Sequence, residues 1–434
     1  MMRRKMGLFS FVASDAAALK RAYKRDDITF VKTSKDYRYQ VKRDVTEEGS
    51  RYLCREGMWQ MKKPTAANTA VLLCAGDVMC EPALSEAAYC EGRYYFQPMF
   101  KQVRSILQNS DFAIANLETM VTELVPYAHE MHVIEHHSGP RYHCNAPVSY
   151  LDALRFAGFD AFVLANNHDA DGGYEGIVDT IDNVEKKGFL HTGMFRNAQE
   201  SRVLLVNING IKVGILSYTE HINRKLDEEI LTPKGREVML NHFSLPRLKA
   251  DIAQARRQGA EFILSYIHLL GKEYSNTIIQ RNRDTAQAMA DAGVDCVVGT
   301  HMHAVQGYEV LTASDGRRVP VMYSLGNFIS SDAHMVAKES VIYRLVLEKT
   351  DAGVAIKEES YIPLRTVECF RKTWYAVFPV QGIYRKEESE LLEKTEQNIA
   401  KWMGGQLKPY PYDARIAEGK KESRKSREMQ DGKY

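Results

Sequence analysis

Short apolar runs that each end in polar or ionisable residues are the feature that most constrains this chain. From Thr69 onwards these runs alternate with polar loops and with segments whose apolar residues recur every three or four positions, as in half-buried helices. This alternation is typical of a layered α/β domain. The strand predictions are Val71–Ala75, Phe112–Ala115, Ala161–Ala165, Phe262–Ile267 and Val294–Val298. The helix predictions are Gln97–Gln108, Ser149–Ala157, Tyr174–Lys187, Ser244–Gln258 and Thr277–Ala292.

Antiparallel strands are predicted within the same sheet system. Val203–Ile208 and Ile211–Tyr218 are separated by Asn209-Gly210, a pair that accepts the positive φ angles of a tight hairpin turn. A second all-β stretch runs from Tyr308 to Leu347, with a turn at Asp315-Gly316. We therefore expect mixed sheets.

Composition excludes several classes of protein. Because 58 Lys and Arg residues nearly balance 56 Asp and Glu residues, leaving a net charge of +2, a nucleic-acid partner is not expected. The seven cysteines include no C-x-x-C pair and are interpreted as reduced thiols. The chain shows neither a secretion signal nor an apolar run of about 18 residues. These features predict a cytoplasmic protein without a transmembrane segment, and they leave peripheral membrane association open.

The pattern divides the chain into four parts. Residues 1–66 are predicted to be an N-terminal extension and residues 67–350 the main domain. Residues 351–413 follow as a C-terminal extension, and residues 414–434 form a mixed-charge tail without an apolar face, which predicts disorder.

Five polar segments each follow a predicted strand, where the ligands of an open α/β sheet usually bind. Taken singly, each has an ordinary explanation as a turn, a solvated loop or a structural histidine. Together they supply carboxylate, amide and imidazole donors at one end of the sheets, a set that suits a divalent metal. The segments are Gly76-Asp77, Asn116-Leu117-Glu118, Asn166-Asn167-His168-Asp169-Ala170-Asp171, His268 and Gly299-Thr300-His301-Met302-His303.

His301 and His303 are the pair that points most directly to metal. On extended backbone, residues i and i+2 lie on the same side of a strand, so both imidazoles are expected to face one point. A plain α/β scaffold with incidental histidines is the competing interpretation.

These segments, in this order, resemble the bacterial capsule-synthesis protein CapA family, which is associated with poly-γ-glutamate capsules and is itself similar to the calcineurin-like metallophosphoesterases. The resemblance spans about Val71 to Ser331. It rests on Gly76-Asp77-Val78-Met79, Asn116-Leu117-Glu118, Ala165-Asn166-Asn167-His168 with Asp171-Gly172, His268 with Glu273-Tyr274, Gly299-Thr300-His301-Met302-His303 and Tyr323-Ser324-Leu325-Gly326-Asn327-Phe328.

The resemblance implies a four-layer α/β/β/α sandwich of the metallo-dependent phosphatase type with mixed sheets. It also implies one or two divalent ions (Mn, Fe or Zn) where the loops of the two sheets meet. Asp77 and His303 would hold one metal, Glu118 would bridge, and Asn167, His268 and His301 would hold the second. His168 would remain off the metals and act as the acid.

Two positions depart from the broader metallophosphoesterase pattern. Met79 stands where a histidine usually follows the first aspartate, and a thioether is a poor ligand for hard or borderline cations. Glu118 replaces the usual bridging aspartate. One ion instead of two therefore remains an alternative. The missing anchor also departs from CapA proteins at the cell surface.

Further residues are expected on the substrate side of the metals. Asn116, Asn166, Arg141 and Asn327 are the candidates. The histidine-rich stretch 127–138 is interpreted as a surface loop, with a substrate-facing loop as the alternative.

The first functional hypothesis is a CapA-like metal-dependent hydrolase that acts on a phosphoester or on a γ-glutamyl amide of a capsule polymer. The alternative is a non-catalytic accessory protein that binds an anionic polymer and docks onto a synthase complex. The two differ in whether His168 is needed for turnover.

Overall fold

The computed structural model describes residues 50–124, 144–223, 233–369, 374–381 and 386–412, together with the backbone of four short strands at 28–32, 37–41, 134–136 and 139–141. The predicted disordered tail and most of the histidine-rich stretch lie outside the described residues. The strands are β1 (Ile28–Lys32), β2 (Tyr37–Val41), β3 (Tyr52–Arg55), β4 (Met58–Met61), β5 (Thr69–Val78), β6 (Tyr89–Cys90), β7 (Arg93–Tyr94), β8 (Phe112–Leu117), β9 (Ile134–His136), β10 (Gly139–Arg141), β11 (Ala161–Val163), β12 (Leu190–Thr192), β13 (Leu204–Ile208), β14 (Ile211–Thr219), β15 (Phe262–His268), β16 (Cys296–Thr300), β17 (Val305–Thr312), β18 (Arg318–Leu325), β19 (Asn327–Ile329), β20 (Glu339–Thr350), β21 (Gly353–Cys369) and β22 (Trp374–Pro379).

Eight α-helices and two 3-10 turns occur in the described part of the chain. The helices are α1 (Pro82–Ala88), α2 (Arg104–Gln108), α3 (Ser149–Ala157), α4 (Gly173–Lys186), α5 (Pro233–Met239), α6 (Leu245–Arg257), α7 (Gln280–Ala292) and α8 (Lys386–Met403), and the 3-10 turns are Gln97–Phe100 and Met335–Lys338. None of these helices is long and apolar enough to span a bilayer.

Two eight-stranded mixed sheets form the centre of the molecule. The first has the order β12-β11-β8-β5-β20-β21-β22, with β19 paired to β5, and the second has the order β17-β18-β16-β15-β14-β13-β4-β3. In the first sheet β5, β8, β11 and β12 are parallel, whereas β20 runs antiparallel to β5. In the second sheet β14, β15, β16 and β18 are parallel neighbours.

Three apolar clusters define four layers. Alternate residues of β5 face opposite sides, so Leu72 packs between the two sheets whereas Leu73 packs under the helices of the first sheet. Ile177 of α4 belongs to that outer cluster. Leu248 of α6 and Met289 of α7 cover the far face of the second sheet. The order helix, sheet, sheet, helix confirms the predicted α/β/β/α sandwich.

The hairpin prediction is confirmed almost to the residue. β13 and β14 pair antiparallel with Ile208 opposite Ile211, and the turn residues Asn209 and Gly210 have φ of 51° and 90°. The predicted helix Gln97–Gln108 is wrong as one element. Its first part forms hydrogen bonds three residues apart, from Lys101 N to Pro98 O for example, so a 3-10 turn precedes the short helix α2.

Segments outside the predicted main domain contribute to the sheets. β3 and β4, which fall within residues 1–66, form an edge of the second sheet through the pairing of Trp59 with Val206. β21 and β22, which fall largely within residues 351–413, extend the first sheet beyond β20.

Candidate metal centre

Polar side chains from both sheets converge where their parallel strands end. Asp77 lies near the end of β5, Glu118 directly follows β8, His268 ends β15, and His301 follows β16. All four are buried, with at most 3% of their surface exposed. Because the carboxyl ends of these strands meet at one edge, the sandwich brings together residues that are far apart in sequence.

Two carboxylates form the centre of the cluster. The Asn116 side-chain amide donates to Asp77 Oδ1 at 2.8 Å and to Glu118 Oε2 at 3.1 Å. Asn166 in turn donates to Asn116 Oδ1 at 3.2 Å. The two asparagines therefore hold the carboxylates side by side. Burial, reinforced by the charge of Asp77, raises the pKa of Glu118 well above its ordinary range.

Two glycines let the backbone approach closely enough to place these ligands. A Cβ on Gly76 would lie 1.9 Å from the carbonyl oxygen of Gly326, and one on Gly299 would lie 2.1 Å from that of Tyr323. The amide of Asp77 donates to the Gly326 carbonyl at 3.1 Å. Glycine is required at positions 76 and 299 because no side chain fits there.

The prediction that His301 and His303 lie on extended backbone is wrong. His301 and His303 lie in a bend after β16 with φ of 95° and 51°, instead of on an extended strand. The His301 amide donates to Asp77 Oδ2 at 3.3 Å, and this contact fits the unusual backbone. Their rings lie 6.1 Å apart between centroids, with His303 next to the carboxylates and His301 next to His268.

His303 lies on the carboxylate side of the cluster. Its Nδ1 is 2.7 Å from Asn327 Oδ1, and its Nε2 is 3.7 Å from Glu118 Oε1. An amide oxygen can only accept, so Nδ1 carries a proton; Nε2 is directed at Glu118, and Nδ1 also lies 3.5 Å from Asp77 Oδ2. Burial lowers the pKa of His303, but the charges of Glu118 and Asp77 outweigh burial and raise this pKa to about 10.

His268 and His301 lie on the opposite side and have the opposite electrostatics. His268 Nε2 is 3.1 Å from Asn167 Oδ1 and 3.6 Å from Glu118 Oε1, and its Nδ1 is 2.9 Å from Thr300 Oγ1. Burial, followed by the neighbouring histidines, holds the pKa of both His268 and His301 well below the ordinary value. These imidazoles are therefore neutral near pH 7, as metal ligands must be.

His168 contacts Asp171 and Cys144 instead of the two central carboxylates. Its Nδ1 is 2.7 Å from Asp171 Oδ2, and its Nε2 is 3.9 Å from Cys144 Sγ, a weak acceptor. Burial opposes a charge on His168, but the contacts with Cys144 and Asp171 outweigh burial and raise its pKa well above the ordinary value. The side chain is 16% exposed. A protonated imidazole at the edge of the cluster suits an acid.

Sequence reasoning missed one histidine of the cluster. The ring of His221, which lies two residues after the end of β14, is 4.3 Å from the His301 ring and 5.7 Å from the His268 ring between centroids. Burial, followed by the charges of His168, His242 and Arg281, lowers its pKa to about 4. A single histidine after a strand is a weak signal, and His221, unlike His268, lies in none of the segments that carry the family resemblance, so the distances between strands reveal it.

The other predicted residues have defined places. Asn116, Asn166 and Asn327 lie inside the cluster, bonded to its own members, and their contact with substrate stays a prediction. Arg141 ends β10, where only the backbone is described. Met79 is buried beside the first carboxylate, and its carbonyl accepts a hydrogen bond from the Tyr150 hydroxyl at 2.7 Å.

The donor set fits a divalent metal. Ligand atoms of Asp77, Glu118 and His268 lie within 4.8 Å of one another, and so do those of His221, His268 and His301. Glu118 Oε1 and His301 Nδ1 are buried without a hydrogen-bond partner. Such an unpaired atom costs about 1–3 kcal/mol. A cation between these groups would use their free lone pairs.

Comparisons with known proteins show what this chain is similar to. The chain is 27% identical over 313 residues to the capsule biosynthesis protein CapA of Bacillus anthracis, covering 72% of this chain and 71% of that one. It is 24% identical over 310 residues to the PGA biosynthesis protein CapA of Bacillus subtilis (strain 168), covering 69% and 74%. Among solved structures, the calcineurin-like phosphoesterase YfkN of Bacillus subtilis overlaps 77% of this chain and 98% of its own, with 14% identity and a TM-score of 0.40.

The family profile described as bacterial capsule synthesis protein PGA_cap matches residues 71–332, which is more than half of the chain. This range begins in β5, ends just after β19, and contains all the buried ligand candidates. The match confirms the resemblance expected from the motifs. The chain therefore belongs to the bacterial capsule synthesis protein PGA_cap family, that of the CapA proteins.

Proposed function

We propose that this protein is a metal-dependent hydrolase of capsule-polymer biosynthesis, acting on a phosphoester or on a γ-glutamyl amide. The observation that carries the proposal is the buried pair Asp77 and Glu118 of the first sheet, whose free oxygen, Glu118 Oε1, faces His268 and His303 of the second sheet. A buried carboxylate pair is costly for a scaffold and useful for holding cations.

Each side of the cluster supplies one metal position. Asp77, Glu118 and His303 form the first metal position, and Glu118, Asn167, His268 and His301 form the second metal position, with Glu118 shared. When bound, a divalent cation polarises the phosphoryl or carbonyl oxygen and activates water as a nucleophile. Asn116 and Asn327 orient the ligands, because Asn116 bonds to both Asp77 and Glu118 and Asn327 bonds to His303.

His168 is proposed as the general acid. Asp171 fixes Nδ1 and favours the protonated ring, so the Nε2 proton is available to a leaving oxygen or nitrogen. The thiol of Cys144 lies 3.9 Å from Nε2 and is too weak an acceptor to retain that proton.

The substrate class rests on the relatives. One of them is described as a PGA biosynthesis protein, and we extend that process to this chain. The proposed partners are an anionic polymer or phosphoester substrate and a synthase complex.

The His168→Ala variant tests the hydrolase proposal. Metal-loaded protein is assayed on bis(4-nitrophenyl) phosphate and on γ-glutamyl oligomers, with bound metal measured by elemental analysis. We expect turnover to fall by about 10²–10⁴-fold with metal content unchanged. His191→Ala is the matched control, because His191 pairs with Glu185 away from the cluster. Unchanged turnover in His168→Ala would remove His168 from the mechanism.

A non-catalytic accessory role is the second candidate, and Met79 is the observation that favours it. Met79 offers the first metal position only a thioether, so that position has fewer good ligands than the second. Tight binding of polyglutamate by metal-loaded protein that cleaves none of the substrates would support this role.

A further inference from the structure

His221 has no part in the mechanism above, although it is fixed among residues that do. β14 pairs with β15 up to Thr219 opposite His268, and the His221 amide donates to Thr219 Oγ1 at 3.3 Å. The neighbouring Glu220 accepts from the Leu270 amide at 2.7 Å and from Thr285 Oγ1 at 3.1 Å. These bonds anchor both sides of the strand end that presents the His221 ring.

The His221 ring lies beside His268 and His301, on the side of the cluster that histidines form. Ligand nitrogens of His221, His268 and His301 lie within 4.8 Å of one another. Two nitrogens bound to the same zinc ion at about 2.1 Å each are separated by roughly 3–4 Å. The three rings are thus spaced nearly as ligands of one ion.

Unpaired ring atoms supply a second, independent observation. His221 Nδ1 and His301 Nδ1 are both buried and have no hydrogen-bond partner in the described part of the chain. A structural histidine in a core normally has its ring nitrogens satisfied by protein or water. The two rings lie edge-on at 4.3 Å between centroids, and an unpaired nitrogen on each points to a shared electrophile.

We propose that His221 is a further protein ligand of the second metal position, which thereby becomes a three-imidazole site. The inference rests on the metal centre of the proposed function but not on any catalytic activity. It has a chemical consequence, because imidazole suits Zn²⁺ and Fe²⁺, whereas carboxylate oxygens suit Mn²⁺. The second position selects a nitrogen-preferring ion, and the first position, which has two carboxylates and one histidine, does not.

The test is metal binding by the full chain after removal of metal with a chelator. Zn²⁺ and Mn²⁺ affinities are measured by chelator competition for wild type, His221→Ala and the control His191→Ala. We expect His221→Ala to weaken the tightest Zn²⁺ site by at least about tenfold. Mn²⁺ affinity should change less, whereas a general folding defect would lower both. His191→Ala should match wild type.

X-ray absorption of wild-type protein with one equivalent of Zn²⁺ keeps the proposal testable if His221→Ala does not fold. Three imidazoles per zinc support it, and two overturn it. Equal Zn²⁺ affinity in wild type and a folded His221→Ala variant also overturns it while leaving the hydrolase proposal intact. Wild-type protein that binds neither ion would overturn both the three-imidazole site and the proposed function.

Discussion

The two metal positions share Glu118 but differ in almost every other respect. The first metal position is rich in oxygen donors. Its histidine, His303, has a raised pKa, so both of its ring nitrogens are protonated near neutral pH. The second is lined by histidines that burial keeps neutral. Under the proposed assignment, one cluster offers two ions different donor atoms and a different dependence on pH.

Removing the shared carboxylate should have the largest effect, because it belongs to both positions. We expect Glu118→Gln to weaken binding at both by at least about a hundredfold, measured by chelator competition. Glu123→Gln, five residues along on an exposed side chain, is the control. The metal-free variant should unfold at the wild-type temperature or higher, since glutamine removes a buried charge beside Asp77. Retained metal at either position would contradict the shared role.

The pH dependence of metal binding should separate the positions next. His303 has a pKa of about 10, so an ion that binds at the first position must displace its proton. Affinity there should rise with pH, by up to about tenfold per unit between pH 6 and 8. Glu118, whose pKa is raised, adds the same dependence to both positions, so the second position should vary less than the first, because the pKa values of His268 and His301 lie well below this range. Calorimetry in buffers of different ionisation enthalpy counts the released protons, and no proton release on filling the first position would contradict the assignment.

Asn327→Ala should weaken only the first position, by about 10–100-fold, because it removes the acceptor that orients His303. Asn327→Asp retains an acceptor oxygen at that place and should keep most of the affinity. Binding curves for the second position serve as the internal reference. Equal losses at both positions would mean that Asn327 acts through the fold.

Met79→His should reduce the difference between the two metal positions, because it gives the first position a second imidazole. The backbone of Met79 is fixed at both ends, by Ile329 O and by the Tyr150 hydroxyl, so the new ring should be held near Asp77. We expect a gain of about tenfold in affinity at the first position. Met79→Leu changes the shape little and adds no ligand, so it should resemble wild type. A gain in both variants would exclude ligation as its cause.

Local sequence patterns predicted an α/β domain with mixed sheets and the hairpin, because period and turn chemistry act over a few residues, whereas the four layers were implied by the family resemblance. Ser149–Ala157 begins and ends as predicted, and Asn209-Gly210 forms the expected turn. They failed where distant contacts decide the backbone. The bend at His301 depends on Asp77, which lies more than 200 residues earlier in the chain.

The candidate site was predictable only where its residues form motifs. The segments ending in Asp77, Glu118 and His303 each follow a strand, so their convergence follows from the sheet geometry. His221 has no such sequence signal, and its relation to His301 arises because β14 and β16 both pair with β15. The preference of residues for helix, strand or turn cannot predict which side chains meet across three neighbouring strands.

The close backbone contacts at Gly76 and Gly299 have a consequence for how such proteins diverge. The separation of the ligand-bearing strand ends is set by main-chain atoms, Gly76 against Gly326 and Gly299 against Tyr323. Substitutions in the outer helices or in the loops above the cluster can therefore accumulate without changing the spacing of the ligands. Such substitutions could change which substrate enters while the proposed metal positions keep their spacing.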